Sequence, residues 1–289
     1  MDYPRTDLAM ERLSGLKQEH IPGVEWNEWQ QAPFSVHRVQ VLDQMGAQAL
    51  DRPVGQYFTA QLDRDAVWDS QWMWESAKAL AGLLRPLLPE TGAVLVAGLG
   101  NRAMTCDALG PLALEHLMVT RHLAQVMPKV FGHLRPVCAI APGVLGTTGL
   151  ESAELIRGAV KQAQPSAVIA IDALAARSLE RLCRTFQLSD AGITPGSGAC
   201  NPRQGLNAET LGIPVIALGV PTVVEARTLA LDLMPQGRLD EKTAPDAGML
   251  VSPRDIDLQV AKCARVLGYA VNLALQGDLD AVEMEQFLC

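Results

Sequence analysis

The sequence predicts an α/β fold in which a parallel or mostly parallel sheet is covered by helices on both faces. Three observations carry this. Four short apolar runs, at 93–97, 137–140, 167–171 and 214–218, are of the continuous kind found in strands buried on both faces. Segments with helical spacing lie between and after them, at 65–84, 109–126, 151–164, 225–233 and 253–275. Alternation of strand and helix along a chain is the pattern of parallel strands joined by covering crossovers.

Taken in order, the first 60 or so residues differ from the rest. Residues 36–41 alternate apolar and polar, as a half-buried strand does, and 57–62 form a second such candidate. Trp26, Trp29, Trp68, Trp72 and Trp74 cluster here, and with so few Lys and Arg between them they indicate packing, not a platform for bases. Residues 20–65 are expected as a mixed β segment packed on the main sheet, within one domain spanning 1–289. The helix over 65–84 should end near Pro86. Gly92 and Gly98 bound the strand at 93–97. The helix over 109–126 carries Pro111 in its first turn, where the missing N–H would be unpaired anyway. Pro165 stops the helix over 151–164. The polar, Pro- and Gly-bearing stretch 235–248 is expected as a surface loop.

Composition narrows the function. The chain has 289 residues, 48% of them hydrophobic and 19% charged, which is a folded composition. Its 24 basic and 32 acidic residues give a net charge of −8, against direct nucleic-acid binding. No apolar stretch reaches the roughly 20 residues a membrane helix needs. The opening Met-Asp-Tyr-Pro-Arg-Thr-Asp has no apolar signal region, so a cytoplasmic location is expected. The six cysteines form no C-x-x-C pair and the five histidines no H-E-x-x-H, so neither zinc nor another cofactor is expected.

In open α/β sheets ligands bind beyond the carboxyl ends of the strands. Four segments are expected there as loops: 98–107, 142–149, the one starting at Asp172, and 219–222. Asn101, Gly143, Thr147 and Thr222 are the candidate substrate-binding positions on them. Gly98-Leu99-Gly100 follows a strand, but no helix opens directly after it and no G-K-[ST] is present, so the glycines indicate a tight turn under a cleft instead of a nucleotide site. Asp172 is the sharpest residue, because a carboxylate ending a buried apolar run needs a partner or a function. Asp107 ends a sister loop, and neighbouring strands would bring the two together. Close carboxylates share a proton, so that one activates water while the other polarises a carbonyl. The structural readings are a helix cap for Asp172 and a solvated loop residue for Asp107. Cys106 with His116 or His122 as base is a weaker arrangement. Ser197 lacks the strand-turn-helix context of a nucleophile elbow, and Cys200 carries no assigned role.

A family resemblance now enters. Arg5-Thr6-Asp7-Leu8-Ala9-Met10-Glu11, Gly98-Leu99-Gly100-Asn101, Thr105-Cys106-Asp107-Ala108-Leu109-Gly110-Pro111 and Val119-Thr120-Arg121-His122-Leu123 resemble blocks of the germination protease of endospore-forming bacteria. So do the segments 141–149, 170–177, 192–198 and 211–224, in family order and over nearly the whole chain. The resemblance implies an endopeptidase that degrades small acid-soluble DNA-binding spore proteins during germination, in the spore core, cutting after an acidic residue followed by an apolar residue and Ala. It implies atypical aspartic chemistry at Asp107 and Asp172, a self-processing zymogen, a homotetramer, and the three-layer α/β/α sandwich of hydrogenase maturation proteases. Asp7-Leu8-Ala9-Met10-Glu11 itself has the family's acidic-apolar-Ala-x-Glu substrate pattern, so self-cleavage between Asp7 and Leu8 is expected, with 1–7 a short propeptide. Two departures stand out: only 233–250 remains where the family carries a long insertion, and Thr194 stands where it carries His. The alternatives are a metal-dependent maturation-type peptidase on the same fold and a catalytically weak homologue that binds spore proteins.

Overall fold

The computed structural model describes residues 5–16, 20–63, 69–195, 204–233, 248–277 and 279–288. In chain order the elements are α1 (Ala9–Leu16), β1 (Val24–Gln31), β2 (Phe34–Val41), α2 (Gln44–Leu50), β3 (Gly55–Leu62), α3 (Ser70–Leu84), β4 (Val94–Gly98), α4 (Leu109–Leu114), α5 (Arg121–Val126), α6 (Pro128–Phe131), β5 (Val137–Ile140), α7 (Leu145–Thr148), α8 (Ser152–Ala163), β6 (Ala167–Ala176), β7 (Thr185–Ser189), α9 (Ala208–Leu211), β8 (Val215–Glu225), α10 (Ala226–Leu233), β9 (Leu250–Val251), α11 (Ile256–Gln276) and α12 (Ala281–Leu288).

One sheet runs β1-β2-β3-β7-β8-β6-β4-β5, with β9 added on β8. The four apolar runs are its parallel part, β8-β6-β4-β5. The other pairings are antiparallel. The 20–65 segment joins this sheet edge to edge, through β3 on β7, instead of lying on its face. The alternation of apolar side chains in β2 explains how: Phe34 and Val36 enter the large core under α3, α4 and α11, while Val39 and Val41 enter a second cluster with Ala9, Ile21 and Leu50. A further cluster lies under α8, so helices cover the sheet on both faces.

Three expectations need correction. The helix over 109–126 is broken: after α4, the Asn272 side chain accepts from the Met118 amide at 2.9 Å and donates to the His116 carbonyl at 2.9 Å. The Thr120 hydroxyl likewise accepts from the Val137 amide at 2.9 Å. These bonds to α11 and β5 replace the helical ladder there. Second, β6 does not end at Ile171, and Asp172 is neither a loop residue nor a helix cap; it lies inside the strand. Third, the 219–222 loop is strand as well. The reason for both is mutual pairing: β6 and β8 continue past the end of β4, with Asp172 opposite Gly219 and Ala173 opposite Val220. Within the expected helix 65–84, α3 starts after Asp69, whose carboxylate accepts from the Trp72 amide at 2.7 Å. The 235–247 part of the expected loop, Ser197 and Cys200 lie outside the described residues.

Candidate active site

Because β4 stops at Gly98, the extension of β6 from Asp172 to Ala176 has one edge that no strand covers. Two segments gather at it: the loop after β4, carrying Asp107, and the N-terminal residues Thr6–Glu11.

The Asp107 loop is held from several sides. Its carboxylate accepts from the Asn101 amide at 2.8 Å, and the Asn101 side chain accepts from the Ala103 amide at 3.0 Å. Gly100 has φ +104°, and a Cβ there would lie 2.1 Å from the Asp107 carbonyl oxygen, so the turn requires glycine. The buried Thr222 hydroxyl donates to the Cys106 carbonyl at 2.6 Å, tying the loop to β8. Asn101 and Thr222 therefore shape the loop that presents Asp107. Gly143 and Thr147 sit after β5 at the far end of the sheet, where the Thr147 hydroxyl donates to the Val144 carbonyl and the Gly143 carbonyl accepts from Ser152.

Asp172 is 5% exposed. Burial holds its carboxyl well above the ordinary carboxylate range, the Asp107 charge pushes it further, its Ala173 amide contact opposes this, and Asp7 adds a small push. That contact is a 2.9 Å hydrogen bond to one carboxylate oxygen. The Asp107 charge thus reaches Asp172 and, together with burial, disfavours its ionised form. The Cys106 thiol is pushed up by burial and then by Asp107, away from the reactive thiolate. His116 packs edge-on against Tyr269, 6.1 Å between ring centres, and His122 is exposed on α5. Among the described residues no three His, Cys, Asp or Glu side chains gather as a metal site.

The Asp7–Leu8 bond is docked, not frayed. The Asp7 amide donates to the Ala175 carbonyl at 2.9 Å, and the Asp7 carboxylate accepts from the Ala175 amide at 2.8 Å. Leu8 is 0% exposed, enclosed with Leu174, Ala176, Leu182 and Val224. The buried Glu11 carboxylate accepts from the amides of Arg177 (2.7 Å) and Ser178 (3.1 Å) and from the Thr6 hydroxyl. Arg181 lies 3.9 Å from it. Arg52 donates to the Thr6 carbonyl and is close enough to feel the Asp7 charge.

Sequence reasoning missed Arg52 and Gln187. Gln187 lies in β7, whose Thr-Phe-Gln-Leu-Ser alternates polar and apolar and carried the signal of a strand with one polar face.

Asp172 is buried within reach of the Asp107 charge, and the Thr6–Glu11 segment lies against the strand that bears it. The sequence profile described as "Germination protease" matches residues 6–235. The chain is 40% identical to a germination protease of Caldanaerobacter subterraneus subsp. tengcongensis and 39% identical to one of Clostridium perfringens strain 13, each alignment covering 98% of both chains. It is 43% identical to a germination protease of Priestia megaterium over 79% of this chain and 65% of that one. The chain belongs to the germination protease family, and is a peptidase of that family. A solved [NiFe] hydrogenase maturation protease, HycI from Thermococcus kodakarensis KOD1, is 16% identical with a TM-score of 0.38 over 67% of this chain and 98% of that one.

Proposed function

We propose that this chain is the endopeptidase that degrades small acid-soluble DNA-binding spore proteins during germination, in the spore core, cutting after an acidic residue. The observation that carries the reading is Asp172, a buried carboxyl whose ionisation burial and the Asp107 charge disfavour, with Asp7–Leu8 docked on the same strand. In the proposed reaction Asp107 takes a proton from water, whose oxygen adds to the carbonyl carbon of the acidic residue. Asp172 gives its proton to the carbonyl oxygen. The carbon–nitrogen bond then breaks as Asp107 passes its proton to the leaving nitrogen, and Asp172 recovers a proton from the second hydroxyl. Neither step calls for a cofactor.

The chain is made as a self-processing zymogen with Asp7–Leu8 as the processed bond, and assembles as a homotetramer, four copies of 31.1 kDa. Gly143 and Thr147 would contact substrate only if it extends toward β5. The test is cleavage of a small acid-soluble spore protein by wild type and Asp172→Asn, with fragments mapped by mass and a chelator arm. Cleavage after an acidic residue, indifferent to chelator and lost in the variant, is expected. Loss with chelator would favour the metal-dependent reading, and binding without cleavage by a processed chain would favour the non-catalytic one.

A further inference from the structure

Gln187 makes two side-chain hydrogen bonds, and both go to the backbone around the Asp7–Leu8 bond. Its Nε2 donates to the Asp7 carbonyl at 2.9 Å, and its Oε1 accepts from the Ala9 amide at 2.8 Å. One carboxamide thus spans the bond, holding the carbonyl on one side and the second amide beyond it on the other. The sheet register explains why this side chain does so. Gln187 stands opposite Gly219 on β8, and Gly219 stands opposite Asp172 on β6. Residues in one such row point to the same face. Gln187 and Asp172 therefore rise from the same face, two strand spacings or about 10 Å apart; the residue between them is Gly219, and the Leu174 side chain packs over it. A cavity of about 280 Å³ opens beside Gln187, lined also by Gly219, Leu174, Arg52, Tyr57 and Asp7 itself. Thr185 and Ser189, the other polar members of β7, make no such contact with the segment; Thr185 instead bonds Gln61.

We infer that Gln187 is a catalytic residue of this site: its carboxamide sets the register of the bound peptide and donates to the oxygen of the bond to be cut. This rests on the reading of Asp7–Leu8 as the processed bond. As water adds, that carbonyl oxygen gains negative charge, and the Nε2 donor already facing it stabilises the charge without rearranging. The proton comes from Asp172, as in the proposed reaction. The bond to Ala9 fixes which carbonyl is presented, because a slip of one residue would turn an amide toward Nε2.

The experiment follows Asp7–Leu8 cleavage by intact mass in wild type, Gln187→Met and Asp172→Asn, and then spore-protein cleavage by chains made to start at Leu8. Methionine keeps the length and bulk of the side chain but neither hydrogen bond. The expected result is a fall of about 10²-fold in the Gln187→Met cleavage rate, the loss typical of removing one such donor. It should exceed what the melting-temperature drop from the two lost hydrogen bonds explains, and come with minor products cut one residue away. In the chain starting at Leu8 the loss should appear in kcat more than in KM. If Gln187→Met fails to fold, Gln187→Glu replaces it: its rate relative to wild type should rise as pH falls, because only the protonated carboxyl donates. Cleavage by either variant within threefold of wild type, at the same bond, overturns the inference while leaving the proposed function standing. Wild type that cuts neither itself nor the spore protein overturns both.

Discussion

Inside a strand buried on both faces, burial and the Asp107 charge push the Asp172 carboxyl well above the ordinary carboxylate range. The consequence for stability has a definite sign. Its folded pKa lies above the unfolded value, so the folded state holds a proton that the unfolded chain releases. Stability therefore falls as pH rises from the ordinary carboxylate range through the raised value. Asp172→Asn has no proton to lose, so its melting temperature should vary less over that window and exceed wild type above it, while cleavage falls by about 10²–10⁴-fold. Cleavage by wild type should also decline as pH rises through the Asp172 value, since the proton given to the carbonyl oxygen is then gone. A pH series of melting curves beside rate measurements checks both. Cleavage by Asp172→Asn at the wild-type rate would end the aspartate mechanism.

The loop after β4 depends on β8 for its position. Thr222→Val keeps the shape of the side chain but leaves the Cys106 carbonyl without its donor, which should cost about 1–3 kcal/mol. Because that carbonyl adjoins Asp107, activity should drop further than the stability change alone explains; thermal melts and cleavage rates on one preparation separate the two. Gly100→Ala tests the same loop from its other end. The added Cβ would meet the Asp107 carbonyl, and the backbone at φ +104° disfavours alanine, so both folding and activity should suffer. A Gly100→Ala chain with wild-type activity would show that the turn is dispensable. Asp107 stood out in the sequence because it ends the loop after a strand expected to neighbour that of Asp172. That Asn101 and Thr222 hold its loop did not, since both act through backbone partners that sequence spacing does not reveal.

Across the whole chain, the N-terminal segment ties together parts distant in sequence. Leu8 fills a pocket made by β6, β8 and Leu182, and Glu11 seats on the amides of Arg177 and Ser178. Leu8→Ala should weaken this docking by about 2–5 kcal/mol, and hydrogen exchange over Thr6–Leu16 should quicken while β6 stays protected. Unchanged exchange would mean that the segment is held by its hydrogen bonds alone. Light scattering on the intact chain tests the proposed tetramer, which should scatter as four copies of 31.1 kDa.

By itself the sequence determined the parallel half of the sheet, because strands buried on both faces must be apolar throughout and their runs are visible. It singled out Asp172 too, because a carboxylate against such an apolar run needs a partner or a function. The tertiary structure decided the rest. Asp172, Gly219 and Pro221 read as strand breakers in one dimension, yet β6 and β8 continue through them by pairing with each other. Asn272 and Thr120 broke a segment that its own spacing made helical. The antiparallel half joined edge to edge because β7 offered a free edge to β3. In each case a backbone partner far away in the chain outweighed local preference, and only folding brings such partners within hydrogen-bonding distance.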